Sequence, residues 1–567
     1  MRLRHLSLVT CVCCLLPVAQ AAGLPWEIGR SGGELVIAQR AQPKTFNPVT
    51  AVDAPSRDII RRMMGDLIGI NHETQEPEPG LAVSWTTSKD GLHYTLQLRD
   101  GLRFSDGHPF DADDVVFSFS VYLDEKTNSP QRDLLIIQNQ PIRAVKLNAH
   151  TVRFDLPGPY AAAERIFDSL AILPRHLLET PWKEGRLAQA WHPGTKPSEI
   201  VGMGPFRLKE YRLGESVVLE RNPYYWKRDK AGTQLPYLDT LRFTFVPDEN
   251  AQVLRFAAGQ TSVLSRFSAR TLSLLPAGSF TELGASLEYS FLFFNQRESA
   301  KPWFQDQAFR RAVSAAIDRE AIVRLVFGGH ATPLWNHVPP ANKRWVNAKL
   351  PKSPKSLEVA RRLLSQAGYK WNTNQLLLDP HGVPVEFSLA VNAGNEDRAG
   401  MATVIQEDLR QLGISVKIAT LEFRSMLDRI MRTGDFDAAI MSLGGGDADP
   451  NSEMNVWLSR GGTHLWNPEQ KTPATPWEAE IDELMKKQAE TLNYPARKRL
   501  FDRVQEIEAE QLPLVSLVSP NLLVAAKPGL GNFRPSVLDH YTLWNSEYLY
   551  WRPGTSAPPV SGGRSTR

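Results

Sequence analysis

Beyond residue 14 the chain has no cysteine: Cys11, Cys13 and Cys14 are the only three, and all lie in the first stretch. Disulfides, thiolate nucleophiles and thiolate metal sites are thereby excluded from everything downstream. An excess of charge of one sign is missing as well. The 65 Lys and Arg nearly balance the 62 Asp and Glu, for a net charge of +3 to which Arg2 and Arg4 contribute. A surface this close to neutral gives no electrostatic capture of nucleic acid or anionic lipid. Past the N-terminus no apolar run reaches the roughly 18 residues needed to cross a bilayer, so any membrane step falls to a partner. Three catalytic signatures are also absent: the G-x-S-x-G elbow, the H-E-x-x-H zinc pair and the G-x-x-x-x-G-K-[ST] phosphate loop. Their absence weakens any hydrolase, zinc-enzyme or nucleotide-dependent reading, and no cofactor is expected.

What is present begins with an export signal. Arg2, Arg4 and His5 precede the apolar run Leu6 to Val18, and Ala19-Gln20-Ala21 supplies a small-residue cleavage site. Residues 1–21 are therefore read as a cleaved secretory peptide, and the mature protein as periplasmic. A lipid-anchored Cys11 is disfavoured, because Thr10 stands where such anchors need Gly, Ala or Ser. With 42% hydrophobic and 22% charged residues, the remaining chain can bury large cores in roughly three to four domain-sized units. Residues 552–567 are rich in Gly, Pro and Ser and read as a disordered tail.

Periodicity predicts a mixed α/β chain. Glu34 to Ala38 reads as a strand, followed by a Pro/Asn-punctuated loop at Pro43 to Pro48. Tyr94 to Arg99 alternates like a half-buried strand, with turn chemistry at Asp100-Gly101 and Asp106-Gly107. Asp111 is placed to cap a helix whose first turn holds Asp113 and Asp114, where carboxylates favour the positive helix end. From Asp306 as cap, Phe309, Ala312, Val313, Ala316 and Ile317 predict a helix that ends at Gly328-Gly329. A helix before Gly368, a strand at Val385 to Val391, a helix over Met401 to Leu412, and strands at Ile414 to Ile418 and Phe436 to Leu443 continue the alternation. Such alternation implies βα crossovers and a helix-covered sheet. Asp447-x-Asp449-x-Asn451 opens like a calcium loop, but Ser452 and Leu458 occupy its glycine and glutamate positions.

Four phrases set the chain in a family: LRDGLRFSDGHPFDADDVVFSFSVY from Leu98, ILPRHLL from Ile172, GMGPFRL with LERNPYYW between Gly202 and Trp226, and FRRAVSAAIDREAIV from Phe309. In order and spacing they resemble the extracellular solute-binding proteins of family 5, the peptide, dipeptide and nickel receptors of ABC importers, from about Glu34 to about Tyr550. The resemblance implies a type II periplasmic binding fold, α/β and two-lobed, with an inserted subdomain and two hinge crossings, near Tyr289 to Asn295 and Leu512 to Ser519. Lobe one would comprise residues 22–56, 200–295 and 512–551 with the subdomain at 57–199, and lobe two residues 296–511. It implies a monomer that takes a small peptide or another small solute between its lobes and hands it to the membrane permease. Dipeptides and oligopeptides lead, with a sugar or nickel complex as alternative and a secreted hydrolase as a remote one.

The same resemblance directs attention to particular residues. Thr45, Phe46 and Asn47 belong to the loop that enters the cleft in the family. Gly444 to Pro450 follows a strand end, where glycines admit a ligand backbone closely and carboxylates can accept from an ammonium group. Gly445 and Gly446 are thus expected to line the cleft. Asp447 is favoured over Asp449 for a ligand amine, although neither stands at the family's usual distance from Pro450. The alternative is that both only cap the turn. Arg398 is a candidate for a ligand carboxylate, although the family arginine aligns with Ala399 or Gly400. Phe46, Trp335 and Trp466 are candidate aromatic walls.

Overall fold

The computed structural model describes residues 25–444 and 448–554. The expected export signal, the Gly445, Gly446 and Asp447 portion of the glycine loop, and the tail beyond residue 554 lie outside the described residues.

One strand, Leu514–Ala526, organises the molecule, because it is buried along most of its length and both its ends pair within one sheet. Its first half runs antiparallel to Tyr289–Phe294, with Ser516 opposite Phe291 and Leu514 opposite Phe293. Its second half pairs instead with Phe280–Ala285 and Val263–Phe267, Ala525 facing both Phe280 and Leu264. The strand path continues outward through Glu34–Gln39, Thr240–Phe245, Ser216–Arg221 and Phe206–Arg212 on one side. On the other it continues through Ala438–Leu443, Glu386–Asn392 and Ser415–Leu421. Two lobes thus hang on a common sheet. Partners change at two places: between Ala285 and Tyr289, and around Pro520, whose carbonyl accepts from Ser286 N at 3.0 Å. Tyr289–Phe294 pairs with Ala438–Leu443 and the first half of Leu514–Ala526, a few residues beyond the first change of partners.

In lobe two, Glu386–Asn392 runs parallel to both Ser415–Leu421 and Ala438–Leu443, as the βα alternation predicts. Helix Glu396–Arg410 makes the first crossover and buries Met401, Ala402, Ile405 and Leu409 on the sheet. The region from Asp306 departs from expectation. It forms two helices, Gln307–Ala316 and Arg319–Val326, because Ile317 is extended and the Asp318 carboxylate caps a new start by accepting from Ala321 N at 2.8 Å. Leu514, Val515 and Phe291 seal the sheet between two apolar cores.

The subdomain inserted into lobe one carries its own antiparallel sheet, in the order Ala82–Thr87, His93–Leu98, Thr151–Asp155, Arg143–Asn148. Helix Ala112–Leu123 packs on it and begins with a full capping box: Asp111 accepts from Asp113 N and Asp114 accepts from Asp111 N. Its Phe119 meets Phe154 and Phe167 in the core. Among the described residues no helix is long and apolar enough to cross a membrane.

Candidate functional site

Helix Ala54–Met63 brings lobe one to the space between the lobes. Asp53 caps it, accepting from Ser56 N at 3.0 Å, and Ser56 Oγ in turn accepts from Lys44 N at 2.8 Å. This tie fixes the loop after Glu34–Gln39 and leaves Val52 64% exposed beside the helix start. A cavity of about 360 Å³ opens there, at the carboxyl ends of Glu34–Gln39 and Val263–Phe267, where open α/β sheets present ligand crevices. Arg40, Arg57, Asp58, Arg266, Asp539 and Tyr541 make its wall charged and polar. Asp58 holds His540 Nδ1 at 2.7 Å. Burial works to raise the Asp58 carboxyl, but the hydrogen bond with His540 and the charges of His540, Arg62 and Arg57 hold it below the usual carboxylate range.

Arg266 donates to Glu288 at 2.7 Å, directly before the strand Tyr289–Phe294. Arg398, in the first turn of Glu396–Arg410, is pushed down by burial and supported by the same Glu288 charge. Arg270 of lobe one pairs with Glu396 and Asp397 at the start of that helix. Gly444 presses against the crossing: its φ is +134°, and a Cβ there would lie 2.5 Å from both Glu288 Cα and Leu287 O. Only glycine tolerates both the angle and the contact. On the far flank the lobes also touch, through Gln75 Nε2 to Ala341 O at 3.0 Å and Ala161 N to Ala489 O at 2.7 Å. A small apolar cluster of Ile70, Leu287, Ala448 and Leu538 joins them beneath.

Several expected contacts take other roles. Asp449 is buried and accepts both guanidinium nitrogens of Arg497, at 2.6 and 2.8 Å, while capping residues 450–453 through Asn451 N. Burial acts to raise its carboxyl, and the Arg497 charge outweighs this and keeps it below the usual range. Its oxygens are engaged by Arg497 and by Asn451 N, the turn-capping alternative to a ligand role. Phe46 is wholly buried, edge-on to Tyr211, and Asn47 donates to Leu187 O at 2.8 Å. Thr45 Oγ1 accepts from Asn47 N at 3.0 Å. These three pin the loop to the inserted subdomain. Trp466 is 1% exposed, packs on His464 and Trp457, and donates to Glu478 at 3.0 Å, so it is core rather than wall. Trp335 donates to Ser353 O within lobe two. Arg398 donates to Asn392 Oδ1 at 2.7 Å, and its Nε has no hydrogen-bond partner among the described residues. Arg266, Glu288 and Tyr541 escape motif reading because they sit on three distant segments.

Comparison with known proteins places this geometry. The model of the bacterial extracellular solute-binding proteins, family 5, matches residues 76–464. The chain is 30% identical over 521 residues to a probable ABC transporter-binding protein of Deinococcus radiodurans, covering 86% of this chain and 87% of that one. It is 28% identical over 530 residues to the oligopeptide-binding protein AppA of Bacillus subtilis, covering 91% and 90% of the two chains. The solved structure of that AppA in complex with a nonapeptide superposes with a TM-score of 0.67 at 25% identity, over 92% of this chain and 100% of that one.

Proposed function

Because the chain belongs to family 5 of the bacterial extracellular solute-binding proteins, whose members bind solutes for transport rather than convert them, we propose that it is the periplasmic receptor of an ABC importer and binds an oligopeptide or dipeptide between its lobes. The expected division, lobe one at residues 22–56, 57–199, 200–295 and 512–551 against lobe two at 296–511, is proposed here with its ends moved to the changes of strand partner, so that Tyr289–Phe294 and Leu514–Ser519 go with lobe two. The reading is carried by the charged cavity at the strand ends of lobe one, whose Arg266 pairs with Glu288 just ahead of Tyr289–Phe294. The similarity to AppA of Bacillus subtilis favours a peptide as the solute.

The binding physics needs several contacts acting together. A micromolar complex requires about 8 kcal/mol, and one charge-assisted contact contributes roughly 1.5–3 kcal/mol. Asp447 supplies that contact to a ligand ammonium, Asp449 being committed to Arg497. Arg398 and Arg266 serve the acidic end. Main-chain bonds at Gly445 and Gly446, together with trapped water, provide the remainder while tolerating varied side chains. The solute favours the closed form because only that form touches it from both lobes, which lets a permease distinguish loaded from empty receptor.

Native mass spectrometry of the purified protein should show co-purifying small peptides, and small-angle scattering should show compaction on adding them. Asp447→Lys should abolish binding of peptides with a free amino terminus. A single sugar or metal chelate in the spectrum would redirect the reading to a non-peptide solute, and saturating ligand with no compaction would remove lobe closure.

A further inference from the structure

The helix that meets the cleft with its first turn ends, two turns later, in a second cavity. This one, of about 220 Å³, lies inside lobe one between the end of helix Ala54–Met63, the turn at His72 and the C-terminal segment 540–548. Its charged side chains are hydrogen-bonded to polar partners with one exception. Arg61 holds Asp66 at 3.0 Å and Asp168 at 2.8 Å. Lys227 holds Glu547 at 2.9 Å, and Glu78 accepts from Asn71 at 2.9 Å. Arg62 is the exception. It is 3% exposed, it lines the cavity, and its Nε and Nη2 have no hydrogen-bond partner among the described residues. Burial pushes its guanidinium down to about 10, which leaves it cationic at neutral pH. Nearby carboxylates do not fill the gap, since Asp58 is engaged by His540 and Glu547 by Lys227.

A second unpartnered group lines the same space. Among the described residues His72 Nδ1 is buried without a partner, and the ring is held by stacking on Trp544 at 4.9 Å and 5°. Burial, with Arg61 adding to it, keeps this imidazole well below its usual range and therefore neutral, so its proton can sit on Nδ1 and be donated. A buried cation with open donors is a costly arrangement unless an acceptor fills the space. Asp58 and Glu547 act on the Arg62 charge through space but leave its open donors unfilled. An oxyanion can accept from both groups at once, and the planar fork of an arginine suits it.

We propose that this cavity is a second binding site, separate from the cleft, in which Arg62 and His72 Nδ1 hold a small oxyanion such as inorganic phosphate, sulfate or a carboxylate. The site does not depend on what the cleft binds. An ion seated there would brace the end of helix Ala54–Met63 against the 540–548 segment, and the His540–Asp58 pair connects that segment to the cleft wall.

The test is titration calorimetry of the full-length mature protein, exchanged into chloride, with phosphate, sulfate and acetate in separate arms at constant ionic strength. At least one arm should give saturable binding. Phosphate or sulfate alone would identify a tetrahedral ion, and acetate alone a carboxylate. Arg62→Met should weaken that binding by about tenfold or more, the loss expected for one charge-assisted contact, whereas Arg62→Lys should retain part of it. If Arg62→Met does not fold, wild-type crystals soaked in selenate carry the question: anomalous density between Arg62 and His72 is expected. No saturable heat in any arm, binding indifferent to Arg62→Met, or water alone in the soaked cavity would each overturn the assignment.

Discussion

At the scale of single residues, the Asp449–Arg497 pair shows how a loop that looks made for ligands is partly made for the fold. Both side chains are nearly inaccessible, at 6% and 5% exposure, and joined by two hydrogen bonds. Removing one partner strands the other charge in the interior, a loss of about 3–5 kcal/mol. Asp449→Asn and Arg497→Met should each lower the urea midpoint by that equivalent, and the double variant should lose less than the two combined. Additive losses would show that the pair is uncoupled. The carboxylate's commitment was not legible beforehand, because Arg497 is 48 residues away and no spacing rule joins a loop to a distant helix. The Asp111 capping box was legible, since cap and partner lie within one helical turn. Phe46 marks the boundary between these cases: proline and asparagine punctuation predicts its loop, but which of its residues turns inward is decided by packing against Trp191 and Tyr211.

At the scale of elements, the long helix Tyr494–Gln511 sets a buried ionisable group beneath the shared strand. Its Glu508 hydrogen-bonds His337 Nδ1 and accepts from His337 N at 3.2 Å, with Ser516 of the strand and Glu453 nearby. Burial acts to lower His337, but Glu508, aided by Glu453, raises it above the usual 6.5. A base raised by folding stabilises most below its unfolded value, and that contribution fades as pH climbs through the folded one. The stability advantage of wild type over His337→Gln should therefore be greatest below about pH 6.5 and shrink in more alkaline buffer, as read by urea unfolding across pH 5.5–9. A gap independent of pH would mean that the imidazole does not titrate with folding. Element types were largely readable from periodicity, as with Glu386–Asn392 and Glu396–Arg410. The break at Ile317 was not, because the apolar stripe runs on past it and the competing cap, Asp318, is one residue among several acids.

At the scale of the whole molecule, contacts on both flanks hold the lobes together, and those at the Arg270 corner are electrostatic and solvent-facing. Side chains that are 42–78% exposed contribute at most about 1 kcal/mol. Arg270→Ala should thus enlarge the ligand-free radius of gyration slightly and reduce its dependence on salt, while loaded receptor stays compact. An unchanged salt response would exclude this corner as part of the latch. The two-lobed form followed from the resemblance of four phrases rather than from periodicity. The cleft wall of Arg266, Glu288 and Tyr541 required coordinates, because it is assembled from strand, crossing and C-terminal segment.

The strand Leu514–Ala526 also limits how this molecule can be divided. Lobe two is nearly continuous in sequence, yet its inner strand Tyr289–Phe294, buried at all six positions, takes one of its two neighbours from this late segment. Expressed without residues 512–526, that half would carry a bare apolar sheet margin open to strands of other chains, and its fate would be self-association rather than independent folding. Completion of lobe two therefore waits until nearly the last stretch of polypeptide has been delivered.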